Sequence, residues 1–111
     1  MRGKFLIIAM LLLGLAAGVP AQDLPRPGSE LDRIIGKDAR AVIQLLGPPR
    51  QDSREGPARR LQFANSACIL DVYFYPPAQG QSPLATYTTA RVPDGRDAER
   101  NSCISVLRMQ R

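Results

Sequence analysis

The run Cys68-Ile69-Leu70-Asp71-Val72-Tyr73-Phe74-Tyr75 limits what this chain can fold into more than any other stretch. Strand-forming residues dominate it, and their character alternates. Cys68, Leu70, Val72 and Phe74 fall on one side and can form a core. Ile69, Asp71, Tyr73 and Tyr75 fall on the other, where two tyrosines and a carboxylate need at least partial contact with water. Such a strand belongs in a sheet with one face packed and the other open.

Two helical segments precede it. Ser29 is placed to cap the first, with Glu30 and Asp32 in its first turn, a stripe of Leu31, Ile34 and Ile35, and Gly36 to stop it. Asp38 caps the second, whose stripe is Ala39, Val42, Ile43 and Leu46 and whose end is Gly47-Pro48-Pro49. Neither is long enough to stand alone, so both must lay their stripes on a sheet. Arg50–Arg54 is a polar candidate edge strand, and Glu55-Gly56-Pro57 is a turn. Arg59–Ala64 alternates, with Leu61 and Phe63 inward and Arg60, Gln62 and Ala64 outward. Asn65-Ser66 leads tightly into the central run, and Pro76–Pro83 is a loop. In Leu84–Val92 the pattern sets Leu84, Thr86, Thr88, Ala90 and Val92 inward and Ala85, Tyr87, Thr89 and Arg91 outward. After the Pro93-Asp94-Gly95 turn, Asp97–Met109 is the last helix. Cys103, Val106 and Leu107 face inward there, and Arg108 and Arg111 suit its negative end. The order predicts an α+β domain: two short N-terminal helices and a C-terminal helix packed on one face of a 3–4-stranded antiparallel sheet.

The chain of 111 residues holds one domain at most. Residues 1–21 follow the signal-peptide pattern: Arg2 and Lys4, then an apolar run from Phe5 to Leu13 that extends to Ala17, then Val19-Pro20-Ala21. Cleavage is expected after Ala21, giving a periplasmic or secreted protein. The run is short for a bilayer span, Gly18 and Pro20 end it, and no cysteine follows the cleavage site to carry a lipid. Residues 22–28, with Pro25 and Pro27, form a flexible lead into a single domain over residues 29–111. Cleavage removes two positive charges, so the formal charge falls from +5 to +3. The arginines are dispersed, with Arg59-Arg60 the only adjacent pair, which argues against nucleic acid as a partner and leaves membrane contact at most peripheral. Two cysteines, no histidine and an oxidising destination favour one disulfide, Cys68–Cys103. Closing that loop stabilises by about 3–4 kcal/mol. The wide spacing is unlike the close pair of a redox motif.

The absence of histidine removes the commonest general base and the commonest metal ligand. No phosphate-binding glycine loop or paired metal-ligand carboxylates are present either, so no catalytic residue, cofactor or metal is expected. Asp71 has two readings, an acid–base or binding residue or a carboxylate paired across strands with Arg60 or Arg91, and the second is the stronger. The outer sheet face collects Arg60, Gln62, Asp71, Tyr73, Tyr75, Tyr87 and Arg91, which form the candidate binding face for an envelope protein partner. Tyrosine and arginine are enriched where proteins bind proteins. The plainer alternative is an ordinary half-wet face where tyrosine sits for its strand propensity.

Residues Leu31-Asp32-Arg33-Ile34-Ile35-Gly36-Lys37 and Asp38 through Leu46-Gly47-Pro48-Pro49, followed by Gly56 and Leu61-Gln62-Phe63, resemble the opening of SmpA/OmlA (BamE-like) domains. The run Cys68–Tyr75 with a late Cys103 is similar to small proteobacterial envelope proteins of that type. The resemblance covers roughly Leu31 to Tyr75. It implies an ααβββ domain of the cell envelope that acts by binding and not by catalysis, as in accessory proteins of outer-membrane barrel assembly. The chain departs from the pattern in having Leu61 and Phe63 where the family usually has tryptophan or tyrosine, and in lacking the lipid-bearing cysteine. The same two-layer shape also occurs in secreted enzyme inhibitors, which is the alternative expectation; a thiol-redox protein or an enzyme comes third.

Overall fold

The computed structural model describes residues 29–110. The expected signal peptide (1–21), the lead (22–28) and Arg111 lie outside the described residues. The elements run as a 3₁₀ turn at Leu31–Arg33, helix α1 at Ala39–Leu46, strands β1 at Gln51–Glu55, β2 at Ala58–Ala64, β3 at Ile69–Tyr75 and β4 at Leu84–Arg91, and helix α2 at Arg100–Met109. The four strands form one antiparallel sheet in the order β1-β2-β3-β4. The fold is therefore α+β.

Helix α1 follows the sequence pattern closely. The Asp38 carboxylate accepts a hydrogen bond from the Ala41 N–H at 2.9 Å, satisfying a donor the helix itself cannot. At the other end Gly47 takes φ 90°, where a side chain would be strained, and its N–H donates to Ile43 O at 2.8 Å. Val42 and Leu46 are buried and Ala39 and Ile43 pack beside them. The first expected helix is only the 3₁₀ turn. Ser29 is not its cap: Glu30 holds that position, and Ser29 Oγ lies 3.4 Å from the Asp32 N–H. The Leu31 N–H, which a helix start leaves unpaired, donates to Asn101 Oδ1 at 2.8 Å. The shortening comes at the other end, where Gly36, at φ 85°, turns the chain away. Gly36 N–H then donates to Ala85 O at 2.9 Å and Ala85 N–H to Lys37 O at 2.8 Å, so this segment pairs with the edge of β4 instead of continuing to coil. Ile34 is fully buried by this arrangement.

The β1–β2 hairpin turns on Gly56-Pro57. Glu55 pairs with Ala58, so the loop has two residues, and Gly56 has φ 62°. Proline cannot take positive φ at the second position, which makes this a type II′ turn, matched to strand twist. Between β2 and β3, Asn65 Oδ1 accepts from the N–H groups of Ala67 (2.8 Å) and Cys68 (3.0 Å), an Asx-type turn that starts β3 at Ile69.

The core lies between the helices and one face of the sheet. Leu61 pairs with Val72, and Val72 with Thr88; Phe63 pairs with Leu70, and Leu70 with Ala90. Ile34, Val42, Leu46, Ile104 and Leu107 pack onto that face. Each such side chain stabilises by about 1.5–3 kcal/mol. Strand β4 departs from simple alternation. Tyr73 pairs with Tyr87 but Phe74 pairs with Ala85, so Thr86 is an extra residue in the ladder, a β-bulge. Inward placement of Thr88 and Ala90, and outward placement of Tyr87, Thr89 and Arg91, agree with expectation. The bulge reverses the rest: Ala85 is buried opposite Phe74, and Thr86 is exposed with its hydroxyl donating to Leu84 O at 3.1 Å. The strand stops at Arg91, one residue early.

The last helix starts at Arg100 and not at Asp97. Ala98 N–H donates to Ala90 O at 3.0 Å and Asp97 bridges to Arg91, so these residues extend the sheet edge. Glu99 is the cap, accepting from the N–H groups of Asn101 (2.8 Å) and Ser102 (3.0 Å). Cys103 and Leu107 are buried as expected. Ile104 is fully buried, while Val106 is only half-buried. Arg108 serves a tertiary contact, donating to the Glu30 carboxylate at 2.9–3.2 Å. The Cys68–Cys103 disulfide is present, with a Cα separation of 5.9 Å, and ties α2 to the start of β3.

Candidate functional site

The sheet face away from the helices carries the candidate site. Register arranges its side chains in cross-strand rows. One row is Ser53, Arg60, Tyr73 and Tyr87; the next is Gln51, Gln62, Asp71 and Thr89. Ile69 and Arg91 stand opposite each other beyond Asp71, and Tyr75 opposes Leu84 at the far end. Arg60, Gln62, Asp71, Tyr73, Tyr75, Tyr87 and Arg91 therefore do share one face, as their alternation in sequence predicts.

They do not share one depth. Asp71 is 2 % exposed and Gln62 is 3 % exposed, so both are enclosed by their neighbours. Gln62 Nε2 donates to Asp71 Oδ1 at 2.9 Å and Arg91 Nη1 donates to Asp71 Oδ2 at 3.0 Å. Arg60 Nη1 lies 3.9 Å from Asp71 Oδ1. A buried carboxylate needs such partners, since unpaired it would be costly. Cross-strand pairing with Arg60 and Arg91 is thus the role the geometry gives Asp71. It holds two arginines on the face and does not present itself. Ile69, on the same face, is also buried.

Above this layer lie the aromatic groups. The rings of Tyr73 and Tyr87 stack with centroids 4.5 Å apart and planes 8° apart. Tyr87 is 42 % exposed, while Tyr73 and Tyr75 are half-buried. Desolvation by its neighbours raises the pKa of the exposed Tyr87 hydroxyl above 10.0, and the nearby Tyr73, Tyr75 and Glu55 push in the same direction. Its hydroxyl therefore stays protonated near neutral pH, able to donate and accept hydrogen bonds. Three residues join the face that sequence reasoning passed over. Arg50 donates to Gln62 Oε1 from Nε (3.1 Å) and Nη2 (2.6 Å), Glu55 lies 3.6 Å from Arg60 Nε, and Ser53 Oγ accepts weakly from Arg60 at 3.4 Å. Reading Gly56-Pro57 as a two-residue loop would have placed Ser53 opposite Arg60 and found Ser53 and Glu55; Arg50 lies before β1 and alternation gives no signal for it.

Chemically the face offers guanidinium donors, tyrosine hydroxyls and aromatic area. Among the described residues, no three His, Cys, Asp or Glu side chains converge in a way that could hold a metal ion. On the helix side a groove of about 470 Å³ is lined by Arg33, Gln44, Leu45 and Arg108. Both of its arginines are bound to Glu30, at 3.2 Å and 2.8 Å. No family model, no curated protein and no solved structure matches the chain.

Proposed function

We propose that this is a non-catalytic binding protein of the bacterial cell envelope that docks a protein partner on its open sheet face. One observation carries the docking part: the stacked Tyr73–Tyr87 pair shares a cross-strand row with Arg60, and the buried Asp71 in the next row pairs with Arg91 at 3.0 Å and lies 3.9 Å from Arg60. Tyrosine and arginine anchors lose little conformational freedom when they are already packed and paired, which favours binding. Arg60, Tyr73, Tyr75, Tyr87 and Arg91 make the contact in this reading, and Gln62 and Asp71 support them. The envelope location rests on the N-terminal sequence and on the resemblance to SmpA/OmlA domains. A disulfide in so small a domain fits an oxidising compartment.

The test is affinity capture from envelope extracts with the parent protein and with a Tyr73→Ser/Tyr87→Ser variant whose circular dichroism is unchanged. Loss of a specific partner in the variant is expected. Retention of every captured protein would refute the assignment of the face. Co-purification with barrel-assembly components would favour the accessory role, and capture of a hydrolase the inhibitor role.

A further inference from the structure

The two edges of the sheet are treated differently. The outer edge of β4 is occupied, through the bonds of Ala85 with Gly36 and Lys37 and of Ala90 with Ala98. Strand β1 pairs only with β2 among the described residues, and it is exposed along its length except at Ser53. Its free groups follow from the hairpin. The two-residue turn is closed by the Glu55–Ala58 pair, and hydrogen bonding alternates along an antiparallel ladder. Glu55, Ser53 and Gln51 therefore bond inward to β2. The N–H and C=O groups of Asp52 and Arg54 point outward, two donors and two acceptors with the spacing of another strand.

We propose that β1 pairs with β1 of a second copy of this chain, antiparallel and centred on Ser53, to make a continuous eight-stranded sheet. Charge selects this partner and this register. The Arg50 N–H donates to Gln62 O at 2.7 Å, so only Asp52 and Arg54 bond outward. Outward-bonding residues must meet outward-bonding residues, which leaves three symmetric registers open, centred on Asp52, Ser53 or Arg54. Centring on Asp52 sets Asp52 against Asp52 and Arg50 against Arg54. Centring on Arg54 sets Arg54 against Arg54. Centring on Ser53 sets each Asp52 opposite the other copy's Arg54, two opposite-charge pairs. Like charges directly opposed destabilise a strand pair and opposite charges stabilise it. Asp52 already binds Arg59 of its own chain at 2.8 Å, whereas the exposed Arg54 has no ion pair within 4.0 Å among the described residues and is free to meet the other copy's carboxylate. Charges on an edge strand usually block pairing. Here they block all but one arrangement. The two-fold axis is perpendicular to the sheet, so both tyrosine–arginine faces lie on one side and the helices on the other. A five-residue strand buries little area, so the association belongs to the weak class, below about 1,200 Å² of interface. The proposal does not depend on the function proposed above.

The test uses the purified protein at up to about 1 mM, where interfaces of this size are populated. Sedimentation equilibrium should show a monomer–dimer system. Arg54→Pro removes one outward N–H without touching the bonds to β2, and should weaken dimerisation at least tenfold. Arg54→Asp and Asp52→Arg should each be monomeric alone, yet associate when mixed, because the mixture restores both opposite-charge pairs. In the dimer the two Ser53 residues form a non-hydrogen-bonded pair about 4.5 Å apart, within reach of a disulfide. Ser53→Cys should therefore cross-link on oxidation far faster than Gln51→Cys. A monomer at every concentration, association unaffected by Arg54→Pro, or equal cross-linking by the two cysteine variants would each overturn the proposal. Binding of an added extended peptide to β1 by an otherwise monomeric protein would overturn it too.

Discussion

Replacing Asp71 with alanine is expected to destabilise the domain by about 2–4 kcal/mol. The magnitude follows from what each partner is left with. Gln62 is 3 % exposed, so its Nε2 loses a 2.9 Å charge-assisted bond and has no water to turn to. Such bonds contribute about 1.5–3 kcal/mol net, and an orphaned buried donor costs about 1–3 kcal/mol. Arg91 and Arg60 lose a counter-charge, but their side chains are 37 % and 23 % exposed and can rehydrate. The full penalty of a stranded buried charge, about 3–5 kcal/mol, therefore does not apply. For a domain of this size the melting temperature should fall by roughly 10–25 °C. Urea unfolding followed by circular dichroism, without reductant, measures the change. The double variant Gln62→Leu/Asp71→Leu leaves no buried donor orphaned, because Arg50 and Arg91, which lose their acceptors, are open to water, and it should be less destabilised than Asp71→Ala alone. If Asp71→Ala shifts stability by under about 0.5 kcal/mol, as a surface substitution does, the enclosed-carboxylate argument is wrong.

Removing the disulfide with Cys68→Ser/Cys103→Ser should cost about 4 kcal/mol, since it frees a loop with a sequence separation of 35; unfolding curves of parent and variant give the difference. Thr88 Oγ1 is buried on the core face with no hydrogen-bond partner among the described residues, so Thr88→Val should stabilise by about 1 kcal/mol in the same assay. Glu99→Ala should cost about 1 kcal/mol through loss of the helix cap. The N–H groups of Asn101 and Ser102, Asn101 foremost, hold the Glu99 carboxyl below its ordinary 4.5. A depressed folded pKa means that its contribution is whole above about pH 4.5 and disappears as pH falls through the lower folded value, so parent and variant should converge in strong acid. Stability measured from pH 7 down to 2 checks that direction.

Where local rules act alone, the sequence was a sufficient guide. Asp38 and Gly47 bound α1 because an unpaired N–H and a left-handed turn each need a particular residue type. Alternation placed Leu61, Phe63, Leu70, Val72 and Phe74 in one core, because a strand's side chains must alternate. The same rule put the seven face residues on one side. It could not say that Asp71 and Gln62 lie beneath their neighbours, because depth depends on which side chains lean over a position.

The other departures share one cause, which is competition for backbone hydrogen bonds from distant parts of the chain. Ala85 claims the Gly36 N–H, and Gly36 takes φ 85°, so a helical pattern becomes a single turn. Ala90 claims Ala98, so α2 starts three residues late. The bulge at Thr86 carries no strong local marker, and it reversed the facing of residues 84–86. By itself the sequence determined the α+β class, the alternating core residues of β2 and β3, the cysteine pair and the shared side of the seven face residues on β2, β3 and β4. Each of these depends on periodicity or on residue chemistry. Only the tertiary structure decided where elements stop, which face residues a partner can reach, and which sheet edge stays open. Those depend on pairing between separate elements, such as Ala90 with Ala98 and Gly36 with Ala85, which a linear pattern does not record.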